Sequence, residues 1–148
     1  MVEEPELVEI RKKAMDLLAR REHSEQELRR KLISREFADD SVDQVLDQLR
    51  QDRLQSDSRF TESYVNHRVN AGVGPLKIRY ELRQKGIADR LAEEFLEVHA
   101  DHWEAMMAQQ RARKFGKTLP AGYAERMKQA RFLQNRGFSP ESVMRLFR

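Results

Sequence analysis

This sequence contains no cysteine, so disulfide bonds and thiol chemistry are excluded. It has no apolar run long enough to cross a membrane and no cleavable signal pattern after Met1. It also lacks a phosphate-cradling glycine loop and a nucleophile elbow. We therefore expect a cytoplasmic protein that uses no cofactor and is not an enzyme.

The composition favours helices over sheets. Charged residues make up 36% of the chain and hydrophobic residues 39%, which suffices for apolar stripes on helices but hardly for a thick buried sheet. Strict alternation and Asn-Gly hairpins do not occur, so we predict no strand.

The charge is distributed unevenly along the chain. Residues 1–53 carry 11 basic against 14 acidic side chains, residues 54–100 carry 7 against 7, and residues 101–148 carry 10 against 4. The last third is therefore best suited to approach a polyanion or an acidic protein surface.

A pattern of three residues returns with a period near 50. It consists of a cation, a residue suited to ending a helix and an apolar residue, and it occurs as Arg35-Glu36-Phe37, Lys85-Gly86-Ile87 and Arg136-Gly137-Phe138. Such a period, built from helical pieces, predicts tandem repeats. We predict an elongated, curved all-α protein of about nine helices, with three-helix units at 1–55, 56–100 and 101–148.

Capping residues and prolines mark the predicted helix starts. Ser24 and Glu27 form a capping box that opens the second helix, which we expect to end near Arg35. The other predicted starts are Asp39 or Asp40 as a cap for the third helix, the Ser56-Asp57-Ser58 cluster as the capping signal of the fourth, Pro75 for the fifth, Pro120 for the eighth and Ser139-Pro140 for the ninth.

Two further local features are predicted from the same patterns. Gly86 and Gly137 should adopt left-handed conformations just beyond the helices that they end. In the sixth helix, expected over 89–99, the inward side chains should be Leu91, Phe95 and Val98.

A metal site is the least convincing of the candidate sites. His99 and His102 have one-turn spacing, with Glu97 and Asp101 nearby. Structural zinc sites usually use cysteine, and open catalytic sites need three converging ligands and a general base. We therefore assign no metal.

Basic side chains form the main candidate surface. Because Leu28 and Leu32 define a buried face, the cations between them must point outward. Cations along the edge of a helical array can follow a phosphate backbone by releasing counterions, although the alternative of ordinary solubilising charges stays open. The candidate DNA-binding or partner-binding residues are Arg20, Arg21, Arg29, Arg30, Lys31, Arg68, Lys77, Arg79, Arg83, Arg113, Lys114 and Arg131.

Other cations and the aromatic residues have simpler explanations. Arg35, Lys85 and Arg136 each lie in the last turn of a helix, where a cation offsets the helix dipole. Aromatic residues at stripe spacing are more often core than base-stacking groups. Among them only Tyr80, placed opposite the core positions of its helix, is predicted to be exposed.

Taken in order, the residues of this chain resemble the RecX family of bacterial regulators of the RecA recombinase. The resemblance covers nearly the whole chain and rests on Ala19-Arg20-Arg21, Ser24, Glu27, Leu28, Lys31, Leu32, Asp57, Arg59, Phe60, Tyr64, Val65, Arg68, Gly74, Ile78, Leu82, Lys85-Gly86-Ile87, Phe132-Leu133 and Arg136-Gly137-Phe138-Ser139. Two positions depart from the family: Glu36, where glycine is common, and Gln55, where an acidic residue is common.

The resemblance implies a non-enzymatic, monomeric protein that binds the RecA–DNA filament along its groove and inhibits recombinase and coprotease activity. It would act in DNA repair, homologous recombination and the SOS response, with single-stranded and secondarily double-stranded DNA as further partners. Two alternatives stay open. One is a free-standing nucleic-acid-binding protein of helix-turn-helix-like units, and the other is a helical scaffold for an unrelated acidic protein.

Overall fold

The computed structural model describes residues 4–148, and over this range the chain forms nine α-helices and no strand. The helices are α1 Pro5–Arg20, α2 Glu25–Ile33, α3 Asp39–Gln51, α4 Asp57–Asn70, α5 Pro75–Gln84, α6 Asp89–Glu97, α7 Trp103–Phe115, α8 Tyr123–Asn135 and α9 Pro140–Leu146. In the part of the chain described, no helix is long and apolar enough to cross a membrane. The predicted all-α class is confirmed.

Three separate cores lie along the chain, one for each set of three helices. The apolar stripes of α1 to α3, of α4 to α6 and of α7 to α9 each form their own cluster. The chain exposes 9572 Å² for a mass of 17.5 kDa, whereas a compact monomer of this mass would expose about 7,900 Å². The large surface is what a tandem array without a central core requires.

The predicted capping box at the start of α2 is confirmed. The Ser24 hydroxyl accepts a hydrogen bond from the Glu27 amide at 3.1 Å, and the Glu27 carboxylate accepts from the Ser24 amide at 3.2 Å. Ser56 and Ser139 likewise accept from the amides of Arg59 and Ser142. Local sequence chemistry therefore determines where α2, α4 and α9 begin.

One predicted cap and one predicted helix start are wrong. The third helix begins at Asp39 itself after Ala38, and neither Asp39 nor Asp40 caps it, because both lie within the first turn. Carboxylates in a first turn still interact favourably with the helix dipole. The eighth helix begins at Tyr123 and not at Pro120, since the preceding connection takes a different, non-helical path.

That connection is held by a buried guanidinium. Arg111 is 3% exposed and donates to the carbonyl oxygens of Gly116, Lys117 and Thr118 at 2.8, 3.2 and 3.5 Å. Its other partner is the amide oxygen of Gln129 at 3.1 Å. These hydrogen bonds hold the segment after α7 against α7, and α8 begins only at Tyr123.

The inward face of α6 also differs from the prediction. Ala92 and Leu96 are buried, whereas Val98 is 70% exposed. Val98 lies just past the end of the helix at Glu97. Leu91 and Phe95 are partly buried at the edge of the core, so the true stripe is displaced by one position. The second helix similarly ends at Ile33, two residues before Arg35.

The helix-ending corners have a common geometry. Gly86 and Gly137 have φ of 81° and 103°, so the predicted left-handed conformations are confirmed. The next amide in each case, from Ile87 or Phe138, donates back to the carbonyl five residues earlier at 3.0 and 3.2 Å. These bonds define Schellman motifs. At the equivalent place Glu36 has φ 68°, so the first corner is left-handed without glycine.

The middle helices of the three units meet end to end. At the joint between the second and third units, the amides of Gly74 and Leu76 donate to the carbonyls of Arg136 and Gly137 at 2.7 and 3.0 Å. At the joint between the first and second units, the Ser24 hydroxyl donates to the Lys85 carbonyl at 2.8 Å. We call these the second joint and the first joint. The start of α2 thus contacts the end of α5, and the start of α5 contacts the end of α8.

Candidate nucleic-acid interface

Most of the twelve predicted cations lie at the surface. Arg68 and Arg79 are partly buried, and the exposed ones are Arg20, Arg21, Arg29, Arg30, Lys31, Lys77, Arg83, Arg113, Lys114 and Arg131. The outward direction predicted for the cations between Leu28 and Leu32 is confirmed, because both leucines are fully buried. Exposure alone does not make them available, since several have partners.

Three of these cations form ion pairs along the outer faces of the first two units. Arg29 lies 2.8 Å from Asp43 and Arg83 lies 2.8 Å from Asp89, while Arg79 pairs with Glu93. Exposed pairs of this kind contribute little to stability, with a median of about 0 to 1 kcal/mol. An approaching phosphate would compete with a carboxylate at each of them.

Arg68 and Lys77 have structural partners. Arg68 binds Glu81 through two nitrogens at 2.9 and 3.0 Å, in a site where both side chains are mostly covered. Lys77 donates to the carbonyl of Asn135 at 3.4 Å across the second joint. Both residues therefore contribute to the fold itself.

The cations of the third unit are less engaged. Lys114 lies 5.8 Å from the centre of the Phe132 ring, the geometry of a weak cation–π contact. Over residues 4–148, neither Arg113, Lys114 nor Arg131 forms an ion pair with a carboxylate. This unit also holds the most exposed tyrosine, Tyr123, at 77%, which was not among the predicted candidates.

At the first joint, cations from two units come together around Lys31. Burial lowers the pKa of Lys31, and the positive charges of Arg21, Lys85 and Arg20 lower it further, against an opposing effect of Glu27. A lysine surrounded by like charges marks a region of positive potential.

The nearest partner of Lys31 is neutral. Its amine lies 2.8 Å from Nε2 of His23, whose Nδ1 is 3.1 Å from the Arg21 carbonyl. Nδ1 therefore donates to that carbonyl and Nε2 accepts from Lys31. Burial lowers the pKa of His23, in agreement with an uncharged ring.

A cavity of about 500 Å³ opens between α2 and α5 at the first joint. Its lining residues are Glu27, Arg30, Lys31, Tyr64, Tyr80, Glu81, Gln84 and Lys85. Tyr80 is 60% exposed, which confirms the prediction for this aromatic residue. A basic and aromatic cleft of this size lies within the range of ligand sites.

The two carboxylates of the cavity are already neutralised. Glu81 accepts from Arg68 and from the Tyr64 hydroxyl. Burial would raise the pKa of Glu27, but hydrogen bonds from Arg21 and the Ser24 amide, together with the charges of Arg21 and Lys85, lower it to about 2. The cavity therefore retains the charges of Arg30 and Lys31.

Lys85 and Arg136, the cations at the ends of α5 and α8, have a role that the sequence did not reveal. Lys85 contacts Glu27 at 3.2 Å across the first joint, and Arg136 donates to the Ala71 carbonyl at 2.9 Å across the second. Interaction with the helix dipole is thus only part of their function. Their recurrence at a fixed period could have indicated this role, because successive units of a repeat array are joined in the same way.

Gln55, which departs from the family pattern, also supports the first joint. It is buried and donates to the His23 carbonyl at 3.3 Å and to Asp57 at 2.9 Å.

His99, which was considered as a metal ligand, lies 3.3 Å from the amide oxygen of Asn66. Among the described residues, no three histidine or acidic side chains gather as a metal site.

Comparisons with known proteins agree with this architecture. Family models for the first, second and third three-helix domains of RecX match residues 11–49, 56–96 and 104–147. The chain is 44% identical over 140 residues to "Regulatory protein RecX" of Pseudomonas fluorescens strain SBW25, covering 95% of this chain and 90% of that protein. It is 42% identical over 134 residues to the protein of the same name from Halorhodospira halophila, covering 90% and 83%.

Solved structures give the same fold. The crystal structure of RecX from Lactobacillus salivarius superposes with a TM-score of 0.78 at 24% identity, covering 93% of this chain and 92% of that one. A second crystal structure, of a regulatory protein RecX, gives a TM-score of 0.81 at 24% identity, covering 94% and 71%. With three domain matches in order and relatives above 40% identity along almost its whole length, this chain belongs to the RecX family of regulatory proteins.

Proposed function

We propose that this protein regulates the RecA recombinase by binding the RecA–DNA filament, restraining recombinase and coprotease activity without catalysing a reaction. Membership of the RecX family supports a regulatory role. The observation that carries the mode of action is the series of outward cations on α2 and α5, helices that meet end to end at the first joint. DNA contact is auxiliary to filament binding in this proposal.

The end-to-end arrangement favours a long, repetitive partner. Because α2 and α5 meet end to end, we infer that their outward cations follow one another along the array, as the phosphates of a nucleic acid do within a filament. Such contacts gain affinity by releasing counterions, so binding should weaken steeply with salt. We further propose that the protein is a monomer of three domains. Their boundaries lie at 55/56 and 100/101, within the connections α3–α4 and α6–α7 that link one unit to the next.

The direct test uses RecA itself. The purified protein should slow DNA-dependent ATP hydrolysis and strand exchange by RecA while hydrolysing nothing alone. If both RecA activities are unchanged at equimolar protein, regulation of RecA is refuted and free-standing DNA binding becomes the better hypothesis.

Two variants, a test and its matched control, examine the cations. Arg29, Arg30, Arg79 and Arg83 are replaced together by glutamine, because glutamate would face the carboxylates that now pair with three of them. Removing one phosphate contact should reduce the logarithmic salt slope for single-stranded DNA by about 0.7. The matched control replaces four exposed cations elsewhere, Lys12, Arg35, Arg90 and Arg148. Full inhibition of RecA by the first variant would show that these arginines only solubilise the surface.

A further inference from the structure

The cavity at the first joint combines three properties that a nucleotide requires. It has an exposed aromatic face in Tyr80, cations in Arg30 and Lys31, and a volume of about 500 Å³. The first unit contributes the cations from α2, and the second contributes the tyrosine from α5. The cleft therefore exists only when the two units are joined.

Arg30 and Lys31 are available to an anion. Within residues 4–148, Arg30 pairs with no carboxylate, and the close contact of Lys31 is the neutral ring of His23. Glu27 and Glu81 line the same cavity, but each is held by cations of the fold, Arg21 and Lys85 for the first and Arg68 for the second. A phosphate entering here would face positive charge that nothing in the described part of the protein neutralises.

The two tyrosines that line the cavity, Tyr64 and Tyr80, differ in their contacts and exposure. Tyr64 is fixed, because its hydroxyl donates to Glu81 at 3.0 Å and Lys85 lies 5.5 Å from its ring centre. Tyr80 has one face open to solvent, since 60% of the residue is exposed. An exposed tyrosine beside cations can stack a base whose phosphate the cations hold, and stacking does not depend on the identity of the base.

We propose that this cavity binds one nucleotide of single-stranded DNA, with its base stacked on Tyr80 and its phosphate against Arg30 and Lys31. The inference rests on the function proposed above and deepens it, because it gives the auxiliary DNA contact a defined place. The joint between two units then serves as the binding site, and the outer ion pairs of Arg29, Arg79 and Arg83 lie outside it.

The test separates stacking from charge with two oligonucleotides. Binding of labelled oligothymidylate and of an abasic oligonucleotide of equal length is measured by fluorescence anisotropy. Tyr80→Ala should weaken oligothymidylate binding about fivefold to a hundredfold, the effect of removing one stacked base. It should leave abasic binding unchanged. Tyr80→Phe should retain the affinity of the unaltered protein for both.

Two further variants complete the test. Arg30→Gln with Lys31→Gln should weaken binding of both oligonucleotides and reduce the salt slope by about 0.7, the value for the one phosphate that the two cations hold. Tyr123→Ala, which removes a more exposed tyrosine outside the cavity, should change neither affinity. Equal effects of Tyr80→Ala on the two oligonucleotides, or equal effects of Tyr80→Ala and Tyr123→Ala, would overturn the stacking site.

RecA inhibition, measured on the same preparations, distinguishes the two proposals. If the unaltered protein inhibits RecA but Tyr80→Ala binds both oligonucleotides normally, the nucleotide site fails while regulation of RecA stands. If Tyr80→Ala loses RecA inhibition but keeps DNA binding, the cavity holds a protein segment and the nucleotide proposal fails. If stacking is observed without RecA inhibition, the site stands and the regulatory proposal fails.

Discussion

Within residues 4–148, two residues other than glycine have left-handed backbones at helix ends. Glu36 and Arg53 have φ of 68° and 61°, each just beyond the helix that it follows. Side chains with a Cβ are strained in this conformation by about 1 to 2 kcal/mol, although glycine is also freer in the unfolded chain. The two corners are therefore locally suboptimal for stability.

Glu36→Gly should consequently raise the free energy of unfolding by about 0.5 to 1 kcal/mol. Urea denaturation would measure this as a higher midpoint. Arg35→Gly is the matched control, because Arg35 has no positive φ and glycine there should only destabilise. A lower midpoint for Glu36→Gly would mean that the Glu36 side chain makes a stabilising contact that outweighs the strain.

Gly137 combines backbone strain with crowding. Its φ is 103°, and a Cβ there would lie 2.5 Å from the Lys77 Cβ and 2.9 Å from the Gly74 carbonyl oxygen. Gly137→Ala should therefore destabilise by about 2 to 5 kcal/mol, because about 1 to 3 kcal/mol of overpacking adds to about 1 to 2 kcal/mol of strain. A loss in thermal unfolding no larger than that of strain alone would refute close approach at the second joint.

Glu27 should make stability depend on acid pH. Its pKa is lowered from 4.5 to about 2 in the folded protein, because hydrogen bonds and cations outweigh the effect of burial. The stabilisation is fully present above about pH 4.5 and is lost as the pH falls toward 2, with an amplitude on the order of 2 kcal/mol after screening. Glu27→Gln should flatten the stability profile over this interval. Glu62→Gln, at an exposed position on α4, should leave it unchanged.

Helix caps differ in what they support. Ser56 caps α4 only, whereas Ser24 both caps α2 and donates to the Lys85 carbonyl across the first joint. Loss of a cap typically lowers stability by about 1 kcal/mol, and loss of a buried hydrogen bond adds a similar amount. Ser24→Ala should therefore destabilise by about 2 kcal/mol and Ser56→Ala by about 1 kcal/mol. Chemical denaturation of both variants provides the comparison, and equal values would show that the joint bond contributes nothing.

Most helices could be predicted because their determinants are local. The capping box of Ser24, the first-turn position of Pro75 and the left-handed glycines each depend on a few adjacent residues. The same local logic failed where a distant contact intervened. Arg111 binds the connection after α7, and no spacing in the sequence indicates that a guanidinium buried there replaces a helical turn beginning at Pro120.

The site was only partly predictable for a related reason. Periodicity predicted that Arg29, Arg30 and Lys31 point outward and that Tyr80 is exposed, because helix faces follow from nearby apolar positions. The sequence could not show that Arg68 is paired with Glu81, or that the cations of one unit meet the tyrosine of the next. Those facts depend on the relative placement of helices that are far apart in the chain.

At the scale of the whole molecule, three small cores should produce an extended particle in solution. A compact chain of 148 residues would have a radius of gyration of about 15 Å. The surface of 9572 Å² leads us to expect a clearly larger value. Small-angle scattering at several protein concentrations measures it, with extrapolation to zero concentration as the control for association. A radius near 15 Å, the compact value, would mean that the units fold back on one another in solution.

The two joints differ in the contacts that hold them, so we expect them to differ in stiffness. The second joint combines backbone hydrogen bonds, tightly approaching glycines and Trp103, which packs against both neighbouring cores. The first joint depends mainly on side chains, including the pair of Arg59 and Glu22. We therefore expect the molecule to bend mainly at the first joint, with the second and third units moving together as one rigid body. Because the cavity lies between the two units that meet at this joint, bending there should change its width.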